Sequence, residues 1–258
     1  MTTAIPRPAA SVAGLLLGDS RFPAGGHAHS GGVEPAVTAG LVTGLDSLEL
    51  FLRGRLRTTG LVAAAVAAAA CAHARSAARE QGAGPEPATP VRDDYWDRLD
   101  AEADARTPAP AQREASRRQG RALLRAARVA WPDARWLAEL TPAPGLTSAR
   151  REYRAGPHHA VVLGAAAAAA GCDPAEAARI AAYQAVAGPV SAAVRLLALD
   201  PMRATAVLAR LAADTDQTAA EAARLAGQPL DDLPCPSAPA LDLLAQAHIQ
   251  AEVRLFES

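Results

Sequence analysis

LVAAAVAAAACAHARSAAREQ, residues 61 to 81, decides the fold. The stretch runs without a glycine or proline, and about half of it is alanine. Alanine is the strongest helix former, and its small side chain lets neighbouring helices approach closely. The segment therefore predicts a long helix from just after Gly60 to about Gln81, crossed by others at short range.

The neighbouring segments carry the same signal. Upstream, LDSLELFLRGRL sets Leu45, Leu48, Phe51 and Leu52 at helical spacing, with Asp46 as the expected cap. A short apolar helix, Ser11–Leu17, comes earlier, and another starts near Val33. Downstream, GAGPEPATP (82–90) breaks the pattern. Helices follow over Asp93–Arg106 and, after the TPAP break at 107–110, over Gln112–Ala130, which Trp131-Pro132 ends. TPAPG (141–145) leads into a second helical half. There Asp173-Pro174-Ala175-Glu176 forms a capping box with Pro at the first helical position, and Asp200-Pro201 repeats the start signal. Gly171, Gly188 and Gly227 read as helix ends. PLDDLPCPSAP (229–239) reads as a loop before a last helix, Leu241–Val253, and the tail RLFES. No alternating β-branched run and no hairpin turn occurs. The sequence predicts an all-α protein, one domain over 1–258 of about ten helices in an irregular bundle without a sheet. Flexible segments are expected at 1–10 and 82–92, and the two helical halves join near 141–150.

Composition narrows the function classes. The formal net charge of −1 gives no global pull toward nucleic acid or an anionic membrane. Cys71, Cys172 and Cys235 are odd in number, far apart and free of any CxxC pairing, which fits a reducing compartment. The N-terminal MTTAIPRPAA lacks the order of a secretory signal. The uninterrupted apolar runs, Leu61–Ala72 and Ala160–Ala170, fall short of the roughly 18 residues of a membrane span. A soluble cytoplasmic protein is expected.

The block GDSRFPAGGHAHSGGVE (18–34) holds residues that often do chemistry. Leu15 to Ser20 resembles the first block of GDSL-type hydrolases, but a serine nucleophile needs a positioned base, and no Asp-x-x-His occurs in the chain. His27, His29 and Glu34 could ligate a transition metal, yet a tight site needs three or four converging ligands and no second local pair completes the set. With no lysine in the chain, a Walker-type phosphate loop is excluded. What the glycines supply is positive φ and close backbone approach, which suits a tight turn between helices or a partner lying against the backbone.

Two other features bear on partners. Arg117, Arg121, Arg125 and Arg128 step by four, four and three along one helix, forming a basic stripe. Without interleaved aromatics or a groove-reading motif it predicts a solvated face or an acidic protein partner, not nucleic acid. Arg195 sits among apolar residues, either paired with a carboxylate in an interface or snorkelling from a core edge. The tail ends in Arg254, Leu255 and Phe256, anchors of the type enriched at binding hot spots, and is expected to dock.

Together these pieces resemble the urease accessory protein F family (UreF). The family's N-terminal signature is similar to LLLGDSRFPAGGHAHSGGVE, and its Ser-Arg-x-x-Gly-Arg-x-Leu-Leu helix to ASRRQGRALLRAA. HHAVVLGAAAAAAG, with His159 at the histidine, SAAVRLLAL and RLFES match three further motifs in the same order. The chain departs from the pattern at His27, Ala160, Gly188-Pro189 and His248-Ile249. The resemblance implies an all-α protein without a catalytic site or cofactor of its own. It also implies a homodimer that bridges a UreD/UreH-type accessory protein to the GTPase UreG and acts on apo-urease in nickel insertion and lysine carbamylation. The partner-binding residues it implies are Asp19, Ser20, Pro23, Gly25, Gly26, His29, Ser30, Glu34, Arg121, Arg195, His248, Arg254, Leu255 and Phe256. A nickel-binding metallochaperone using His27 and His29 is the alternative.

Overall fold

A helix lined with alanine can be crossed almost backbone to backbone, and the fold is organised around such a crossing. The computed structural model describes residues 12–19, 21–81, 94–140 and 156–257. Among them are eleven α-helices and no strand: α1 (Val12–Gly18), α2 (Val33–Thr38), α3 (Leu45–Arg55), α4 (Leu61–Gln81), α5 (Tyr95–Ala105), α6 (Pro110–Ala130), α7 (Trp136–Glu139), α8 (His159–Ala169), α9 (Pro174–Leu197), α10 (Pro201–Ala223) and α11 (Pro239–Ile249). The expected flexible segments at 1–10 and 82–92 and the junction near 141–150 lie outside the described residues, as does Ser20.

The alanine helix α4 is the centre, packed against α8, α9 and α10. Every residue of α8 from Val161 to Ala168 is buried. At Gly164 the two backbones touch: a Cβ there would lie 2.1 Å from the Ala67 carbonyl oxygen. One cluster of buried apolar side chains runs from Leu17 to Leu233, so the two helical halves share it.

Several boundaries differ from expectation: α6 starts at Pro110, not Gln112, the last helix ends at Ile249, not Val253, and three further readings change. Gly60 does not break the helix, because α3 passes into α4 through a π-turn, Leu56–Gly60. The wide turn leaves carbonyls without their usual partners, and the Thr58 and Thr59 hydroxyls donate to Gly54 O and Arg55 O. Asp46 is not the cap of α3: Gly44 is, with Ser47 Oγ accepting the Gly44 and Thr43 N–H groups. Gly188 does not end α9, which continues through Pro189 to Leu197. A proline inside a helix orphans the carbonyl four residues earlier. Here Arg55 Nε donates to that carbonyl, Ala185 O, at 3.1 Å. The capping box at α9 forms as read, with Asp173 Oδ1 accepting the Glu176 N–H and Glu176 Oε2 the Asp173 N–H, each at 2.8 Å.

Joining α3 to α4 also changes the apolar-length argument. The continuous helix Leu45–Arg79 and α9 are each long and apolar enough to cross a membrane by length and composition. In the first, 61% of the apolar window is buried within the fold, as befits its core position. In α9 only 39% is buried, with Ile180, Ala187 and Val194 half-buried.

Candidate functional site

The glycine block and the C-terminal tail interlock. Gly25, Gly31 and Gly32 hold φ of 73°, 62° and 89°. Gly31 could not carry a side chain in any case, since a Cβ would fall 2.9 Å from Pro189 Cγ. These turns start α2 so that Glu34, in its first turn, faces inward and is buried. Ser30 Oγ accepts the Glu34 N–H at 3.2 Å and fixes the helix start.

Glu34 then holds the tail by its backbone. Its two carboxylate oxygens accept the N–H groups of Leu255 at 2.7 Å and Phe256 at 2.9 Å. Hydrogen bonds to an ionised acceptor are about twice as strong as neutral ones. His248 Nε2, on α11, lies 3.6 Å from the same carboxylate and 3.2 Å from Phe256 O. Glu257 N–H donates to Ala28 O at 2.8 Å. The Phe256 ring is buried beneath the Arg195 guanidinium, 4.4 Å from the ring centroid, and Arg195 Nη2 donates to His27 O at 3.0 Å. The Glu257 carboxylate reaches Arg118 at 3.5 Å and His29 Nε2 at 3.9 Å. Burial pushes the His29 imidazole below its ordinary value, the Glu257 charge opposing.

Of the residues named from the sequence, His29, Ser30, Glu34, Arg195, His248 and Phe256 therefore meet in one place, with Gly25 shaping the turn. Among the described residues Arg195 has no carboxylate partner, and it covers the tail's aromatic ring. Leu255 and Arg254 turn outward, and Leu255 is 72% exposed. Asp19 lies at the surface with Arg21, whose guanidinium at 2.6 Å holds its carboxyl down to about 2. Pro23 and Gly26 are exposed. Backbone N–H groups collected by a carboxylate, an aromatic ring under a guanidinium and outward apolar side chains suit docking.

The structure corrects one member of the arginine stripe and leaves Arg125 exposed. Arg117 is 4% exposed, not solvated. Its Nη1 donates to Asp100 Oδ2 at 2.8 Å and to Gly156 O at 2.6 Å, while Nη2 donates to Asp104. His158 closes the cluster, its backbone N–H on Asp100 at 2.8 Å and its Nε2 on Asp104 at 2.7 Å. Burial raises the Asp104 carboxyl, but His158 and Arg117 outweigh it and hold the group below its ordinary value. Ser116 Oγ accepts the His159 N–H at 3.2 Å, and Arg121 packs across Gly156. Gly120 admits the Pro157 carbonyl, which a Cβ would meet at 2.0 Å. The Ser-Arg-x-x-Gly-Arg motif is thus a clamp on the segment leading into α8. A glycine inside a strong helix was the available signal, because it marks close backbone approach. Asp100, Asp104 and His158 are also the one group among the described residues whose three ligand-type atoms lie close enough to share a metal ion. The Arg117 guanidinium already fills the cationic position there. His27 and His29 join no such group among the described residues.

At the start of α8, burial pushes the His159 imidazole down to about 4, and the neighbouring His29 charge acts the same way. The unfolded chain protonates this group near 6.5 while the fold keeps it neutral. Stability from this group is therefore complete above pH 6.5 and is lost as pH falls toward 4. Urea unfolding at pH 7.5 and pH 5 should show a lower midpoint in acid, and His159→Gln should shrink the difference. An equal difference in the variant would remove His159 as its cause.

Comparison with known proteins gives a consistent picture. The UreF family model matches residues 42–212. The chain is 44% identical over 244 residues, 95% of its own length and 97% of the relative's, to the urease accessory protein UreF of Mycolicibacterium vanbaalenii. The protein of the same description from Mycobacterium marinum is also 44% identical over the same shares, and that of Mycobacterium bovis (strain BCG / Pasteur 1173P2) 45%.

Proposed function

The chain belongs to the UreF family of urease accessory proteins, and from that premise we propose that it is a non-catalytic scaffold in urease maturation. In this reading it forms a cytoplasmic homodimer of single-domain protomers. It joins a UreD/UreH-type protein to a UreG-type GTPase on apo-urease, so that nickel is inserted and the active-site lysine carbamylated. Nickel is cargo of the assembly here, not a resident of His27 and His29.

The observation that carries the proposal is the docked tail. Its backbone is fixed from inside by Glu34, while Leu243, Ile249, Val253 and Leu255 stay exposed at 72%, 45%, 83% and 72%. Apolar side chains held outward on an ordered frame suit a protein interface, because the cost of ordering the frame is met before the partner arrives. Phe256 contributes from within by anchoring the frame, and Leu255 by contact.

Removing Arg254 to Ser258 should abolish co-purification with the UreD/UreH-type partner and leave helical circular dichroism unchanged. Leu255→Ala should weaken the same complex by about 2 kcal/mol, roughly thirtyfold, at no cost in folding stability. Unchanged affinity in both variants would remove the tail from the interface.

A further inference from the structure

Arginine drawn away from water is ordinarily met by a carboxylate, since an uncompensated charge in the interior is costly. Arg55, half-buried where α3 enters the π-turn, has no such partner among the described residues. Burial alone lowers its guanidinium to about 10, so it stays charged at neutral pH. Its Nε is used on the Ala185 carbonyl. Nη2 lies behind Gly31, where a Cβ would come within 3.3 Å of it.

Arg55 lines a cavity of about 1170 Å³ that runs along α9, bordered by α1, the Gly26–Ala28 turn and α10. Its walls include Leu17, Ile180, Val190 and Leu208. Arg195 lines it too, its described contacts being the His27 carbonyl and the Phe256 ring. Three acids reach the cavity and each is engaged: Asp19 by Arg21, Asp216 by Arg179, and Glu176 in the capping box. The groove is apolar, carries two guanidinium charges without a carboxylate partner, and offers no free acid among the described residues.

We propose that this groove receives a segment of a partner protein that carries a carboxylate between apolar side chains, with Arg55 binding the carboxylate. A small free anion would occupy only the Arg55 end and leave the apolar face of α9 open. The inference rests on the scaffold reading only in taking the occupant to be a protein.

The test places the photo-crosslinker p-benzoylphenylalanine at Tyr183, 44% exposed on the groove wall. The full-length protein is irradiated in complex with the co-produced UreD/UreH-type protein, UreG-type GTPase and apo-urease, and crosslinked peptides are sequenced. The expected product is a partner segment with Asp or Glu between apolar residues. Arg55→Gln should lower the yield about tenfold or more and Arg55→Lys should retain part of it, since a desolvated charge pair is being removed or kept. If Arg55→Gln fails to fold, Ala187→Asp, on the groove wall, sets a like charge against the incoming carboxylate and should reduce the yield similarly. No crosslink, a crosslink to a second copy or to an acid-free segment, or a yield untouched by a folded variant would overturn the proposal. Such a failure with tail-dependent co-purification intact sinks this inference alone, and loss of both sinks the scaffold reading.

Discussion

Replacing Arg117 by methionine is expected to cost about 3–5 kcal/mol of folding stability, the range for leaving a buried charge without its partner. The side chains of Arg117 and Asp100 are 4% and 3% exposed. Without the guanidinium, Asp100 keeps only the His158 N–H among its described bonds, and Gly156 O loses its donor. Asp104 is less affected because His158 and water still reach it. The loss should be read from urea unfolding followed by circular dichroism at pH 7. Adding Asp100→Asn should recover part of it, since an amide oxygen can still accept the His158 N–H without a charge to bury. Against a typical total of about 5–15 kcal/mol, the single variant is close to unfolding the protein. A loss below about 1 kcal/mol would mean that the cluster is hydrated and the clamp is not the support described.

Gly164→Ala should be nearly as damaging, and for a reason composition hides. Helix propensity alone ranks the change as a gain of about 0.5–1 kcal/mol. The structure reverses the sign: the new Cβ would lie 2.1 Å from Ala67 O and 2.6 Å from Ala70 Cβ. Backbone atoms of a core helix cannot move aside as a flexible side chain can, so α4 and α8 must separate and give up packing along the crossing. Overpacking of this kind costs about 1–3 kcal/mol and occasionally more, and the upper end is expected here. Gly54→Ala in α3 is the control, because nothing lies within 4 Å of its added Cβ. There the propensity gain should survive. Thermal melts of the two variants should move in opposite directions, and parallel shifts would show that the α4–α8 approach is looser than described.

The helices were legible because their signals are local. Caps such as Asp173 and Asp200, proline at the first turn of α9 and α10, and the alanine run of α4 all act within a few residues. The errors arose where a distant group overrides the local signal. Gly188 reads as a helix end until Arg55, 130 residues from Ala185 in sequence, is seen donating to Ala185 O. Arg117 read as solvated because spacing fixes a helix face but not what packs on it. The candidate site was legible only in part. The family resemblance picked out Glu34 and Phe256, yet their bond joins residues 222 apart, and no periodicity reports that.

That long-range closure also bears on timing. The entropy of closing a chain loop grows only with the logarithm of its length, and the helices in between have met nearly all of it before the tail arrives. Residues 251–257 therefore bear little more than their own ordering cost when Leu255 and Phe256 settle on Glu34. Release is correspondingly a local event, separable from unfolding of the helices. A segment with those properties can leave and return repeatedly while the helices stay folded.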